Sequence, residues 1–150
     1  MNTTIIKEII SNSEAETEQF AYSLAQTLPR GSVVALNGDL GAGKTVFSRG
    51  FARGLNITEP VSSPTYTIIQ EYPCPDGGYF FHMDLYRIND VRAALDFGID
   101  EYLNDPESWS VIEWPNRIST ILPPHTINIK IENIDDDSRK ITITNIQSSS

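Results

Sequence analysis

Residues 33–45 read VVALNGDLGAGKT. Four apolar residues, Val33 to Leu36, run straight into Gly38, Asp39, Leu40, Gly41, Ala42, Gly43, Lys44 and Thr45, which spell G-x-x-x-x-G-K-T. A buried strand feeding such a turn is the setting in which a phosphate-binding loop has physical meaning. Glycines at 38, 41 and 43 let the backbone adopt positive φ and curl its N–H groups into a concave nest facing a nucleotide's β-phosphate. The unpaired N–H groups and positive dipole end of a following helix add to the Lys44 ammonium, which reaches the β- and γ-phosphates, and Thr45 is placed to ligate Mg²⁺. Asp39, Leu40, Gly41, Ala42, Gly43, Lys44 and Thr45 are therefore the candidate contacts to ATP or ADP. The alternative is a glycine-rich strand-to-helix turn with a solvated lysine.

The 150 residues predict a single domain with enough chain to bury its own core, spanning 1–150 and ending in a disordered tail near 147–150. Cys74, the single cysteine, lies between Pro73 and Pro75 and leaves no intramolecular disulfide or cysteine-rich metal site, which fits a reducing cytoplasm. No cationic stretch precedes an apolar core at the N-terminus, and no apolar run approaches the ~20 residues that span a bilayer, so the reading is a soluble chain without membrane contact. Net charge is −9, with the eleven Lys and Arg scattered. An unaided nucleic-acid binder needs a cationic footprint to displace counterions from phosphates, so any RNA is expected to be held by a partner.

Elements follow from local patterns. Thr3 to Ile10 reads as a strand, and Ser13 with Glu16 makes a capping box opening a helix to about Leu28. Phe20, Leu24 and Leu28, with Ala21 and Ala25 beside them, form its apolar face. Ser32 to Asn37 is the strand before the loop; Lys44 to about Gly54 is the next helix, with Phe47, Phe51 and Leu55 as its buried stripe. Thr65 to Tyr72 and Tyr79 to Asp84 are β-rich and joined through Pro75, Asp76, Gly77 and Gly78, predicting a hairpin or short excursion. Asp90 caps a helix over Val91 to Phe97, a helical turn follows around Tyr102, and Trp109 to Glu113 is a short apolar strand. Thr126 to Glu132 and Lys140 to Ile146 alternate apolar and polar residues about a turn at Asp135 to Asp137, predicting a half-exposed antiparallel pair at the sheet's edge.

Carboxylates near the phosphates complete such a site. Glu113, ending an apolar strand, is the candidate for Mg²⁺ or its waters; otherwise it is an ordinary strand-end carboxylate. Asp84 ends another β-rich run and would orient or deprotonate an attacking water or hold a metal-bound water, the alternative being a capping or turn aspartate. Lys44, Asp84 and Glu113 form the candidate catalytic set. His82, two residues before Asp84, faces the same side of its strand and reads as a histidine satisfied in the core, with a proton shuttle as the alternative. Arg87 either steadies the site or makes a surface ion pair, and His125 reads as a loop residue. Ser62 to Thr67 is either a polar connection or a mobile switch in which Ser63, Thr65 and Tyr66 respond to the γ-phosphate and contact partners.

Taken together, the helix start at Ser13 to Thr17, NGDLGAGKT (37–45), SSPTYT (62–67), HMDLYR (82–87), VIEW (111–114) and DDDSR (135–139) resemble the bacterial TsaE family, also called YjeE, over nearly the whole chain. A phosphate loop alone is widely shared; the joint order of these segments is far more specific. The resemblance implies a phosphate-loop NTPase of α/β class, with a central parallel sheet flanked by antiparallel strands and surrounded by helices. It places Lys44 and Thr45 at the phosphate and magnesium positions, Glu113 at the strand-end carboxylate, Asp84 at a motif aspartate, Arg139 near the nucleotide and Trp114 beside the site. Ser62 and Ser110 depart from the family pattern without removing a site side chain. Family members are implied to hydrolyse ATP and so reset TsaD and TsaB, the proteins that transfer threonylcarbamoyl to the adenosine 3′ of the anticodon in tRNA. The other readings of the same loop are a small-metabolite kinase, for which Arg87 and Arg92 make a poor lid, and a nucleotide-gated binding module with negligible turnover.

Overall fold

In the computed structural model, which describes residues 2–38, 43–61 and 68–147, the apolar run before the loop is the middle strand of a seven-stranded sheet. The elements in chain order are β1 (Asn2–Ser11), α1 (Glu14–Thr27), β2 (Val33–Gly38), α2 (Lys44–Gly54), β3 (Ile69–Pro73), β4 (Tyr79–Asp84), α3 (Val91–Asp96), α4 (Ile99–Leu103), β5 (Trp109–Glu113), a 3-10 segment (Pro115–Ile121), β6 (Ile127–Asn133) and β7 (Arg139–Gln147). The sheet order is β1-β7-β6-β2-β5-β4-β3. β2 pairs in parallel with β5 on one side and β6 on the other, and β4 joins β5 in parallel. Antiparallel β3 completes one flank, and antiparallel β7 and β1 the other. This is the parallel centre with antiparallel flanks that the resemblance implies.

Helices cover both faces of the parallel centre, which is why β2 reads as a continuous apolar run. Val34 and Leu36 join Phe47, Phe51, Phe80 and Ile129 in a cluster that includes Ala21 and Ala25 of α1. Val33, Phe81, Met83 and Ile112 instead pack with Ala94, Ile99, Leu103 and Ile118. The period-two alternation of a strand thus divides one sheet between two cores.

The β6–β7 pair is antiparallel, but it is not the sheet's edge. β1 pairs with β7 over almost its full length and takes the outer position. The alternation arises because Ile129 and Ile131 are buried under the helices while Lys130 between them is exposed on the other face. β3 and β4 form the hairpin, with β3 starting at Ile69; its expected beginning at Thr65 to Thr67 lies outside the described residues. At the far end β7 continues through Gln147, paired with Asn2, and Ser148, Ser149 and Ser150 lie outside the described residues.

α1 shows how the two helices of one face are brought together. The Ser13 hydroxyl accepts from Glu16 N at 3.1 Å, and the Glu16 carboxylate accepts from Asn12 N at 3.0 Å. Its buried line runs through Thr17, Ala21 and Ala25, while Phe20, Leu24 and Leu28 are half-buried along its side. The apolar face is thus centred on the small residues rather than the large ones. The cause lies on α2: an added Cβ at Gly50 would fall onto the Glu18 carbonyl oxygen and within 2.9 Å of Glu18 Cα, and one at Gly54 would lie 2.7 Å from the Ala25 methyl. Glycine on α2 facing alanine on α1 sets the spacing of the pair, and α2 carries Lys44 as its first residue.

Candidate functional site

Gly43 closes the loop in the left-handed region, with φ of +100° and ψ of 22°. A Cβ there would meet nothing within 4 Å, so conformation rather than space calls for glycine. No side chain caps the helix that follows, which leaves the N–H groups of its first turn without a side-chain acceptor at that position. The loop residues Asp39, Leu40, Gly41 and Ala42 lie outside the described residues, as does the proposed switch with Ser63, Thr65 and Tyr66.

Lys44 and Glu113 meet across the ends of neighbouring elements. Glu113 ends β5 and is paired in register with Leu36 of β2 and with Asp84 of β4. Both side chains are buried, Lys44 with 8% of its surface exposed and Glu113 with 5%. The ammonium lies 4.0 Å from Glu113 Oε1 and 4.8 Å from the centre of the Trp114 ring. A buried cation needs compensation, and here one carboxylate and one aromatic face supply it. Trp114 itself has φ of +60°, a conformation uncommon outside glycine, and its ring also takes Tyr86 at 5.1 Å and the Arg117 guanidinium at 5.8 Å. Thr45 is half-buried at the second position of α2.

The other expected residues gather at the same end of the sheet. His82 is fully buried and its Nε2 lies 2.8 Å from Glu113 Oε2. This agrees with a core-satisfied histidine for that nitrogen, while Nδ1 has no hydrogen-bond partner among the described residues. Asp84 is half-buried; its Oδ1 accepts from Tyr86 N at 3.0 Å, the bond of a turn aspartate, and its backbone N–H donates to Ile68 O at 2.9 Å. Arg87 is exposed, and His125 Nε2 lies 2.9 Å from the Gly31 carbonyl oxygen, fastening its loop.

Arg139, at the start of β7, donates from its guanidinium to the carbonyls of Asp135 and Asp136 and so braces the acidic turn. The Asp135 carboxylate accepts from Ser138 N at 2.8 Å and Asp137 N at 2.9 Å, and these backbone donors hold its pKa below the ordinary value. A cavity of about 240 Å³ joins this turn to the Gly43 corner, lined by Ser13, Glu14, Thr17, Gly43, Val46, Asp136, Asp137 and Arg139. A second cavity, of about 370 Å³, opens on the other side of that corner, with Gly38, Lys44, Trp114, Asn116, Lys130 and Asn133 among its lining. Sequence reading did not single out Thr17, Asn116, Lys130 or Asn133 as site residues, because only the sheet order brings their segments to the loop.

Magnesium carried in with a nucleotide needs little from the protein: usually one or two carboxylates, with phosphates and waters completing the shell. Among the described residues no group of three or more His, Cys, Asp or Glu could hold a metal. Glu113 beside Lys44, with the Thr45 hydroxyl on the next residue of α2, is a donor set whose chemistry fits an ion of that kind. No helix among the described residues is long and apolar enough to cross a membrane.

Comparison with known proteins agrees with this arrangement. A family model described as "Threonylcarbamoyl adenosine biosynthesis protein TsaE" matches residues 11–141. The tRNA threonylcarbamoyladenosine biosynthesis protein TsaE of Bacillus subtilis is 45% identical over 130 residues, covering 86% of this chain and 79% of that protein. Its namesake in Rickettsia bellii is 38% identical over 141 residues, covering 92% of this chain and 94% of that protein. The crystal structure of YdiB from B. subtilis superposes with a TM-score of 0.80 at 36% identity, covering 97% of this chain and 88% of that one. With its phosphate-loop fold and a match from residue 11 to residue 141, the chain belongs to the TsaE family.

Proposed function

We propose that this protein is a single-domain, magnesium-dependent ATPase of tRNA threonylcarbamoyladenosine synthesis, acting with TsaD and TsaB and driving or resetting their complex without performing the transfer. The observation that carries this reading is the buried Lys44–Glu113 pair at the ends of β2, α2 and β5, directly behind a left-handed Gly43. A phosphate competes with Glu113 for the ammonium and gains the N–H donors of the first turn of α2. Thr45 and Glu113 would hold magnesium, which when bound supplies positive charge to the β- and γ-phosphates.

The remaining residues take graded roles. Arg139 and the cavity beside Gly43 give the nucleotide's far end a place to rest, since that cavity begins where the loop's phosphate nest ends. Asp84 keeps Oδ1 on Tyr86 N, while Oδ2 accepts no hydrogen bond among the described residues and is the oxygen available to orient or deprotonate a water. The acidic balance of the chain fits a protein that leaves tRNA contacts to its partners. Slow turnover alone and stimulation by the partners fit an Arg87 that is exposed and leaves room for a docked partner to add charge beside Asp84.

Calorimetric binding of ADP and ATP with and without Mg²⁺, on the parental protein and on Lys44→Ala, tests the site. Removing a charge-assisted phosphate contact should weaken binding by about 10- to 100-fold. Phosphate release is then compared for the chain alone, with TsaD, with TsaB and with both, using Lys44→Ala to subtract contaminating activity. Unchanged binding by a folded Lys44→Ala variant would overturn the phosphate-loop assignment. Equal rates in every mixture would overturn partner activation, a phosphorylated acceptor would reassign the site to a kinase, and no product would leave a nucleotide-gated binder.

A further inference from the structure

We propose that His82 is a positioning residue that fixes the Glu113 carboxylate for the magnesium-nucleotide site, an inference that rests on the reading above. β4 and β5 run in parallel with His82 beside Val111 and Asp84 beside Glu113, so the imidazole reaches along the strand direction to the next strand's terminal carboxylate. Its ring lies 6.1 Å from the Phe80 ring at an interplanar angle of 10°, and Phe80 is itself fully buried, so the imidazole plane is held by packing. Nε2 contacts Glu113 Oε2 at 2.8 Å, which ties one carboxylate oxygen and leaves the other, Oε1, on the side of the Lys44 ammonium. The rotation of the carboxylate is thereby fixed with one oxygen presented toward the phosphate lysine.

The second ring nitrogen separates this role from a purely structural one. The contact with Glu113 engages Nε2 alone, and the other ring nitrogen takes no part in it. Nδ1 is buried and has no hydrogen-bond partner among the described residues. A histidine kept to stabilise a core finds partners for both nitrogens, as buried polar groups generally do. Among the described residues His82 satisfies only the nitrogen that faces the site carboxylate, and it carries an unsatisfied ring nitrogen to do so. Partners that orient a metal-binding carboxylate in this way typically change metal affinity by 10- to 100-fold when replaced.

The test is the Mg²⁺ concentration that half-saturates the magnesium-dependent gain in ADP affinity, followed with a fluorescent ADP analogue in the full chain. In His82→Gln the amide nitrogen sits near the level of Nε2 and keeps a donor for Glu113; in His82→Asn it sits near Nδ1 and falls short. His82→Asn should raise the midpoint about tenfold or more, leave ADP affinity in EDTA unchanged, and be largely rescued by His82→Gln. A parental midpoint in folded His82→Asn, or a glutamine variant no better than the asparagine one, would overturn the role of His82 alone. A parental protein with no magnesium-dependent gain would overturn the metal-nucleotide reading together with it. The long-range ¹⁵N–¹H spectrum of the parental imidazole needs no variant: a proton on Nε2 supports the assignment and a bare Nε2 overturns it.

Discussion

Replacing Gly50 by alanine adds one methyl group where helices α1 and α2 already touch. The methyl would overlap the Glu18 carbonyl oxygen and approach Glu18 Cα and the carbonyl carbon at 2.9 Å, and all three are backbone atoms that no rotamer change can move aside. The helices must therefore separate, pulling Ala21, Ala25, Phe47 and Phe51 out of register in the core they share. Overpacking of this kind costs about 1–3 kcal/mol, with rigid backbone on both sides placing it near the upper end. Alanine returns up to about 1 kcal/mol through its better helix propensity. The net loss of about 1–2 kcal/mol corresponds to a fall in Tm of about 3–6 °C for a domain of this size. Thermal unfolding by circular dichroism reads it directly. Because α2 begins at Lys44, ADP affinity should fall with stability in the same variant. A Tm equal to or above the parental value would refute the reasoning, since it would mean that α2 can withdraw from α1 without cost and that the Gly50–Glu18 contact does not set the position of α2.

Asp84→Asn should keep nucleotide affinity and fold, because the amide oxygen can still accept from Tyr86 N, yet lower the partner-stimulated rate of phosphate release by ~10²-fold or more; a parental rate would make Asp84 a turn residue only. Cys74 is buried, which raises its thiol pKa above the ordinary value, with Arg30 drawing it down and Asp76 adding to the rise. The folded chain then holds that proton at a pH where the unfolded chain has lost it, so this group's contribution to stability declines as pH rises above the unfolded thiol's pKa. Alkylation at mildly alkaline pH should accordingly be slow in the native protein and fast in denaturant, and equal rates in the two states would contradict the burial.

What the amino-acid sequence discloses about this chain is the part that physics writes locally. Val33 to Leu36 before a glycine-rich turn, Ser13 three residues ahead of Glu16, and Asp90 three ahead of Ala93 each determine an element within one helical turn of themselves, and each is found as read. Contacts that depend on strand order are different in kind. That β6 lies beside β2 rather than at a rim, and that β1 covers β7, are decided by which crossovers pack, so alternation in β6 and β7 identifies an antiparallel pair without saying what lies beyond it. The same limit hid the role of Ala25, since a small residue on α1 has meaning only against Gly54 on another helix. Glu113 and Asp84 were visible singly as carboxylates closing apolar strands; that His82 holds one of them depends on β4 and β5 being parallel neighbours in a register that puts Asp84 opposite Glu113. The chain leaves the sheet's centre in both directions at β2, toward β5 and toward β6, and open parallel sheets bind ligands outside the strand ends at such a reversal. Lys44 and Glu113 sit at that point, and the two flanking cavities open from it. Lys44 and Glu113, far apart along the chain, meet there because a parallel sheet brings the carboxyl ends of its strands to one edge, and that convergence, rather than any single motif, is what makes this corner the candidate site.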